Sequence, residues 1–106
     1  MWTVGFLNPA AIAELKALPR DMQSRFERVV AMIESFGLEG VHEPYVKHVE
    51  GKLWEIRLAG RAGIARSLYV TAAGLRVIVL RTFIKKTSKA PRREIELALD
   101  RAKEIK

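Results

Sequence analysis

The chain contains no cysteine, which excludes a disulfide scaffold, a thiolate metal site and a cysteine nucleophile, and is compatible with a reducing compartment. It also lacks a run of about 18 apolar residues, the length a membrane-crossing helix requires. The opening segment, MWTVGFLNPAAIAELKALPR, has no basic start of the kind a secretory leader carries. A cytoplasmic protein with no membrane partner is the expectation. No Gly-rich phosphate loop, no His-Glu-x-x-His pair and no G-x-S-x-G elbow occurs, which sets aside P-loop nucleotide hydrolysis, helix-borne zinc catalysis and α/β-hydrolase chemistry. The only histidines, His42 and His48, are too far apart to share a site on one helix or strand with other ligands. No metal site is expected.

What is present fits one domain over residues 1–106. Half of the residues are hydrophobic, 49%, and a chain of this length withdraws roughly 65% of its unfolded surface from water, enough for a core without staples. The net charge is +7, and its distribution is uneven. Residues 1–50 carry 5 Lys/Arg against 7 Asp/Glu, whereas residues 51–106 carry 14 against 5. Such asymmetry fits either an acidic partner, nucleic acid above all, or a charge that serves solubility.

Residues 2–7 are apolar and β-favouring, and Asn8-Pro9 supplies a helix cap followed by a proline suited to the first helical position. A short helix with Ile12 and Leu15 inward should follow. Beyond Pro19 a second helix repeats Met22, Phe26, Val29, Val30 and Ile33 at helical spacing and ends at Gly37. From Lys47 the period becomes two. Trp54, Ile56 and Leu58 fall on one face of a strand and Leu53, Glu55 and Arg57 on the other. A second strand covers residues 64–70. The third, residues 76–84, is expected to place Ile78, Leu80 and Ile84 on one face and Val77, Val79, Arg81, Phe83 and Lys85 opposite. Pro91 opens a terminal helix with Ile95, Ala98, Leu99, Ala102 and Ile105 along one side. The order β-α-α-β-β-β-α fits an α+β domain with helices on one face of a mostly antiparallel sheet.

The strongest chemical signal is the segment from Arg81 to Arg93, with six basic residues, no acid, one aromatic and several hydroxyls. Arg81, Lys89, Arg92 and Arg93 are candidate RNA-binding residues, with Phe83 placed either to stack on an unpaired base or to fill a small satellite core. Six phosphate contacts on a single strand would give a salt slope of about −4. Glu55 reads as an ion-pair partner of Arg57 or as a proton acceptor beside it. Arg66 and Tyr69 have opposite parity and cannot both face the same way unless a bulge intervenes. A lysine among cations has its pKa lowered and can exchange protons, while arginines remain charged clamps.

Three segments, VKHVEGKLWEIR ending at Arg57, GIARSLYV ending at Val70, and VIVLRTFIKKTSKAPRREIELA ending at Ala98, make the chain similar to the RelE/ParE toxin superfamily, specifically its phage-related HigB-like branch. The resemblance implies a toxin of a type II toxin–antitoxin system, an RelE-like α+β fold, and a cognate helix-turn-helix antitoxin as partner. It further implies cleavage of mRNA on the ribosome, with rRNA contacts, by attack of the 2′-OH and without a metal or other cofactor. By motif position, Arg57, Arg66 and the Lys85-Lys86 pair correspond to the family's catalytic cations. The terminal helix has no aromatic residue where RelE-type sites carry a tyrosine, so the resemblance implies that Tyr69 or a lysine substitutes in proton transfer or that catalysis differs, and Arg81 stands where the HigB-like branch often has histidine. Two other functions share the fold: inhibition of DNA gyrase in the ParE manner, and RNA or ribosome binding without cleavage.

Overall fold

A computed structural model describes residues 1–85 and 91–105. The elements are β1 (Thr3–Phe6), α1 (Pro9–Lys16), α2 (Arg20–Phe36), a single 3-10 turn (Leu38–Gly40), β2 (Val46–Glu50), β3 (Leu53–Gly60), β4 (Gly63–Ala72), β5 (Arg76–Lys85) and α3 (Arg92–Ala102). The strands form one sheet in the order β1-β5-β4-β3-β2, with β1 parallel to β5 and the remaining neighbours antiparallel. The α+β class and the expected succession of elements are present. No helix among the described residues is long and apolar enough to cross a membrane.

Local chemistry accounts for the helices. Asn8 caps α1 by accepting from the Ala11 amide at 2.9 Å, and Pro9 occupies its first turn. The inward residue of α1 is Ala11, fully buried, rather than Ile12, which stays 37% exposed. Ala11 and Leu15, four residues apart, share the side of the helix turned to the core, which leaves Ile12 beside it. In α2, Met22, Phe26, Val29 and Ile33 form the expected buried stripe, and the chain leaves through Gly37 at φ +81°.

Two apolar clusters lie on opposite faces of the sheet. The first joins the α2 stripe to Ile56, Leu58, Ala65, Tyr69, Val77 and Val79. The second joins Leu53, Leu68, Val70, Ile78, Leu80 and Phe83 to Ile95 and Ala98 of α3. The terminal helix therefore covers the face opposite α2, so the helices do not all share one face. Amphipathic spacing predicts that a helix buries a stripe; it carries no information about which side of a sheet receives it.

The strands depart from expectation at two places. Residues 46–50 form a separate edge strand, paired with β3 through Val46–Ile56, Lys47–Glu55 and His48–Trp54, and then shifted by one residue so that Glu50 meets Leu53. In β5, Leu68 pairs with Arg81 but Tyr69 pairs with Val79, which leaves Leu80 without a cross-strand partner. This bulge reverses the parity of the strand's second half. Arg81, Phe83 and Lys85 thus lie on the face of Ile78 and Leu80, while Val77 and Val79 lie on the α2 face. The bulge is held by Arg101, whose Nη1 donates to the Leu80 carbonyl at 2.7 Å.

Candidate active site

Because Glu55 and Arg57 alternate with Ile56 and Leu58, both project on the face that α3 covers only in part. Register brings the rest. Lys47 of β2 stands opposite Glu55, Arg57 stands opposite Arg66, Arg66 opposite Phe83, and Ile64 opposite Lys85. Four cations from four adjacent strands are gathered around one carboxylate, beyond the edge of the α3-covered cluster. The bulge at Leu80 is what turns Lys85 toward them.

Glu55 is 2% exposed and Arg66 is 7% exposed. Arg66 donates through Nη1 to Glu55 Oε2, and Arg57 Nε lies 3.9 Å from the same oxygen. Arg66 Nε is buried with no hydrogen-bond partner among the described residues. An unpartnered charged donor withdrawn from water is unfavourable unless an anion supplies the missing acceptor. The Lys85 ammonium is held below the usual lysine range, first by desolvation and then by the charge of Arg66, with Arg57 and Lys47 acting in the same direction and Glu55 opposing. The face can accept a phosphate group, clamp it with forked guanidinium donors and offer a lysine that gives up its proton more readily than usual.

The remaining candidates are distributed differently. Tyr69 is 1% exposed and lies in the α2-side cluster, where burial pushes its phenol up to about 12. It faces away from Arg66, as its parity predicts, because β4 has no bulge of its own between the two. Arg81 is not directed at the open face. Its Nε and Nη2 donate to Glu94 at 2.8 and 3.2 Å, and its Nη1 pairs with Glu14 at 2.9 Å. Phe83 fills the second cluster at 8% exposure, so its ring serves packing and is not presented as a stacking platform. Arg92 forks onto Glu50 at 2.6 and 3.0 Å at the surface, and Arg93 is exposed at the start of α3. Lys86 and Lys89 lie outside the described residues. Sequence reasoning missed Lys47, since the strand that carries it was not separated from its neighbour; the alternation of Val46, Lys47 and His48 was the available signal.

This arrangement, a five-stranded mostly antiparallel sheet with a cationic end on one face, is the RelE toxin fold. A solved structure of the Escherichia coli toxin RelE, an arginine double mutant in its free state, superposes with a TM-score of 0.63 over 99% of this chain and 98% of that one, at 15% sequence identity. The family model described as phage-derived protein Gp49-like matches residues 13–103, and the chain belongs to that family. No curated protein matches it.

Proposed function

We propose that the chain is the toxin of a type II toxin–antitoxin system and that it cleaves mRNA on the ribosome. The observation that carries this reading is the convergence of Lys47, Arg57, Arg66 and Lys85 around a buried carboxylate on one open face of a RelE-type sheet. Cleavage in this scheme proceeds by attack of a 2′-oxygen on the adjacent phosphorus. The P–O bond to the 5′-oxygen breaks, and a 2′,3′-cyclic phosphate remains. Arg57 and Arg66 hold the non-bridging oxygens as negative charge builds on them, each such donor contributing on the order of 3 kcal/mol. Glu55 fixes the Arg66 fork in place. Lys85, whose ammonium is held below its usual range, takes or returns the proton, with Glu55 as the other candidate acceptor. Lys86 belongs to the same proposed cation set by its motif position, and Arg92 and Arg93 to a flanking RNA-contact surface.

A Gp49-like toxin of this fold is expected to be neutralised by a cognate antitoxin, for which the helix-turn-helix class is the proposed type. The basic face is the surface such a partner would have to cover.

A second reading has one observation in its favour. Helix α3, Arg92–Ala102, carries no aromatic residue, and Tyr69 lies on the far side of the sheet, so no phenol reaches the cationic cluster from either. RNA binding without cleavage is compatible with that arrangement. Mapping mRNA ends on ribosomes after brief induction decides among the readings. New 5′ ends in translated messages support the nuclease, ribosome association with intact mRNA supports the passive binder, and a DNA-damage response with intact mRNA points to gyrase. The first reading further requires that Arg57→Ala, Arg66→Ala and Lys85→Ala suppress the cuts in folded protein.

A further inference from the structure

A second cluster of cations lies on the opposite face of the sheet. A cleft of about 690 Å3 runs between the start of α2 and the β3–β4 turn, lined by Asp21, Ser24, Arg25, Arg28, Gly60 and Arg61 among others. Arg25 and Arg28 are three apart on one helix and share a face. Arg61 is brought to them by a close approach of backbone to helix. A Cβ at Gly60 would stand 2.8 Å from both Asp21 Oδ2 and Met22 Cγ, so only glycine allows the turn to sit this near α2.

The carboxylate of Asp21, which lines the cleft, is already engaged. Asp21 accepts from the Arg61 amide at 2.7 Å through one oxygen and from the Met22 amide at 2.9 Å through the other. The Arg61 amide is the leading cause that holds this carboxyl below its usual range. Asp21 therefore pins the turn to the helix, and among the described residues no salt bridge within 4.0 Å reaches Arg25, Arg28 or Arg61. The contrast with the other face is informative, because Arg57, Arg66, Arg81, Arg92 and Arg101 all have carboxylate partners there.

We infer that Arg25, Arg28 and Arg61 form a second RNA-backbone site, distinct from the catalytic cluster and separated from it by the β3–β4 hairpin. Three guanidinium forks that form no salt bridge among the described residues, carried by α2 and the pinned turn around one open cleft, suit phosphodiester oxygens, which accept paired N–H donors. Arg57 lies three residues before Gly60 on the same strand, roughly 10 Å at strand rise. An RNA that wraps the hairpin tip meets both sites. The inference rests on the reading of the chain as an RNA-acting toxin, but it concerns binding and not cleavage.

The test uses the full chain and a 2′-O-methyl oligoribonucleotide, which cannot undergo 2′-OH attack. The triple variant Arg25→Ala, Arg28→Ala, Arg61→Ala should bind at least tenfold more weakly and show a salt slope shallower by about 2, from −0.7 per lost contact. The triple lysine variant should keep the slope, which separates charge from misfolding, and circular dichroism of both checks the fold. Unchanged affinity and slope in the alanine variant would overturn the assignment. So would unchanged RNA binding together with lost binding of a poly-glutamate peptide, which would assign the cleft to an acidic protein segment. Wild-type protein that binds the oligonucleotide through these arginines but cuts no mRNA would instead remove the nuclease reading and leave this site standing.

Discussion

Arg66 and Glu55 form an ion pair almost wholly withdrawn from water, and Arg57 stays within 3.9 Å of the same carboxylate oxygen from the more exposed side. A single buried carboxylate thus orients two guanidinium groups that differ in exposure. Packing fixes the inner one, whose Nε is left to meet a ligand, and the outer one is the more open of the two. Removing Glu55 should leave Arg66 buried and uncompensated, which costs about 3 to 5 kcal/mol. Urea unfolding of Glu55→Ala should show that loss. The double variant Glu55→Leu, Arg66→Met should recover most of it while remaining inactive, because apolar replacement restores packing without restoring the clamp. A loss below about 1 kcal/mol in the single variant would show that the pair does not organise the site.

Lys85 supplies a prediction in pH. Desolvation and the charges of Arg66, Arg57 and Lys47 hold its ammonium below the ordinary lysine value, so the neutral amine becomes available at lower pH than for a surface lysine. If that amine accepts the 2′ proton, single-turnover cleavage on programmed ribosomes rises with pH through the lowered value. Lys85→Arg keeps the charge and cannot titrate. It should retain RNA affinity and lose the pH-dependent limb. A limb that survives in Lys85→Arg would rule Lys85 out as the proton acceptor.

A partly buried network on α1, β5 and α3 gives an acid-stability prediction. Arg101 donates to both oxygens of Glu14 at 2.8 and 2.9 Å, and Arg81 bridges Glu14 to Glu94. Burial disfavours the Glu14 carboxylate, yet the hydrogen bond from Arg101 and the charges of Arg81 and Arg101 outweigh it and hold the group below its ordinary value. A carboxylate with a depressed folded pKa stabilises above the unfolded value and loses that contribution as pH falls through the folded one. Glu14→Gln should therefore lower stability at neutral pH, by about 1 to 3 kcal/mol, and flatten the acid limb. Parallel acid limbs for the two proteins would rule the network out as its source.

The alternation of Leu53, Glu55 and Arg57 against Ile56 and Leu58 was legible in the sequence because β3 is regular and each face meets a different environment. The same rule failed in β5. Residues 77–80 are all apolar and buried on both faces, so no polar residue marks the parity, and a one-residue bulge passes unseen. Strand β2 was obscured for a related reason: its own register shift separates Val46 from Val49, and only Gly51 and Lys52 divide it from β3. Arg81 read as an RNA contact because its partners, Glu14 and Glu94, are distant in the chain. Local charge counts register a cation but not the carboxylate that folding brings to it. The open cleft of Arg25, Arg28 and Arg61 was hidden in the same way, since Arg25 and Arg28 lie in the half of the chain with no basic surplus and folding alone brings Arg61 to them.

Tyr69 offers a measurement on the opposite face. Its phenol lines a cavity of about 890 Å3 with Trp2, His48 and Trp54, and its side chain is almost fully buried. Desolvation raises the pKa to about 12 from an ordinary 10.0. A raised folded pKa in an acid that is neutral when protonated stabilises the fold below the unfolded value and loses that contribution as pH climbs from 10 toward 12, by about 2 to 3 kcal/mol in full. Tyr69→Phe keeps the ring in the core and has no proton to lose. Thermal unfolding of the two proteins should run in parallel up to about pH 10 and diverge above it, with the wild type falling faster. The phenylalanine variant should still cleave mRNA, because Tyr69 faces away from Arg57, Arg66 and Lys85; loss of cleavage in a folded Tyr69→Phe protein would mean that the catalytic face extends through the sheet and that the proposed cation cluster is incomplete.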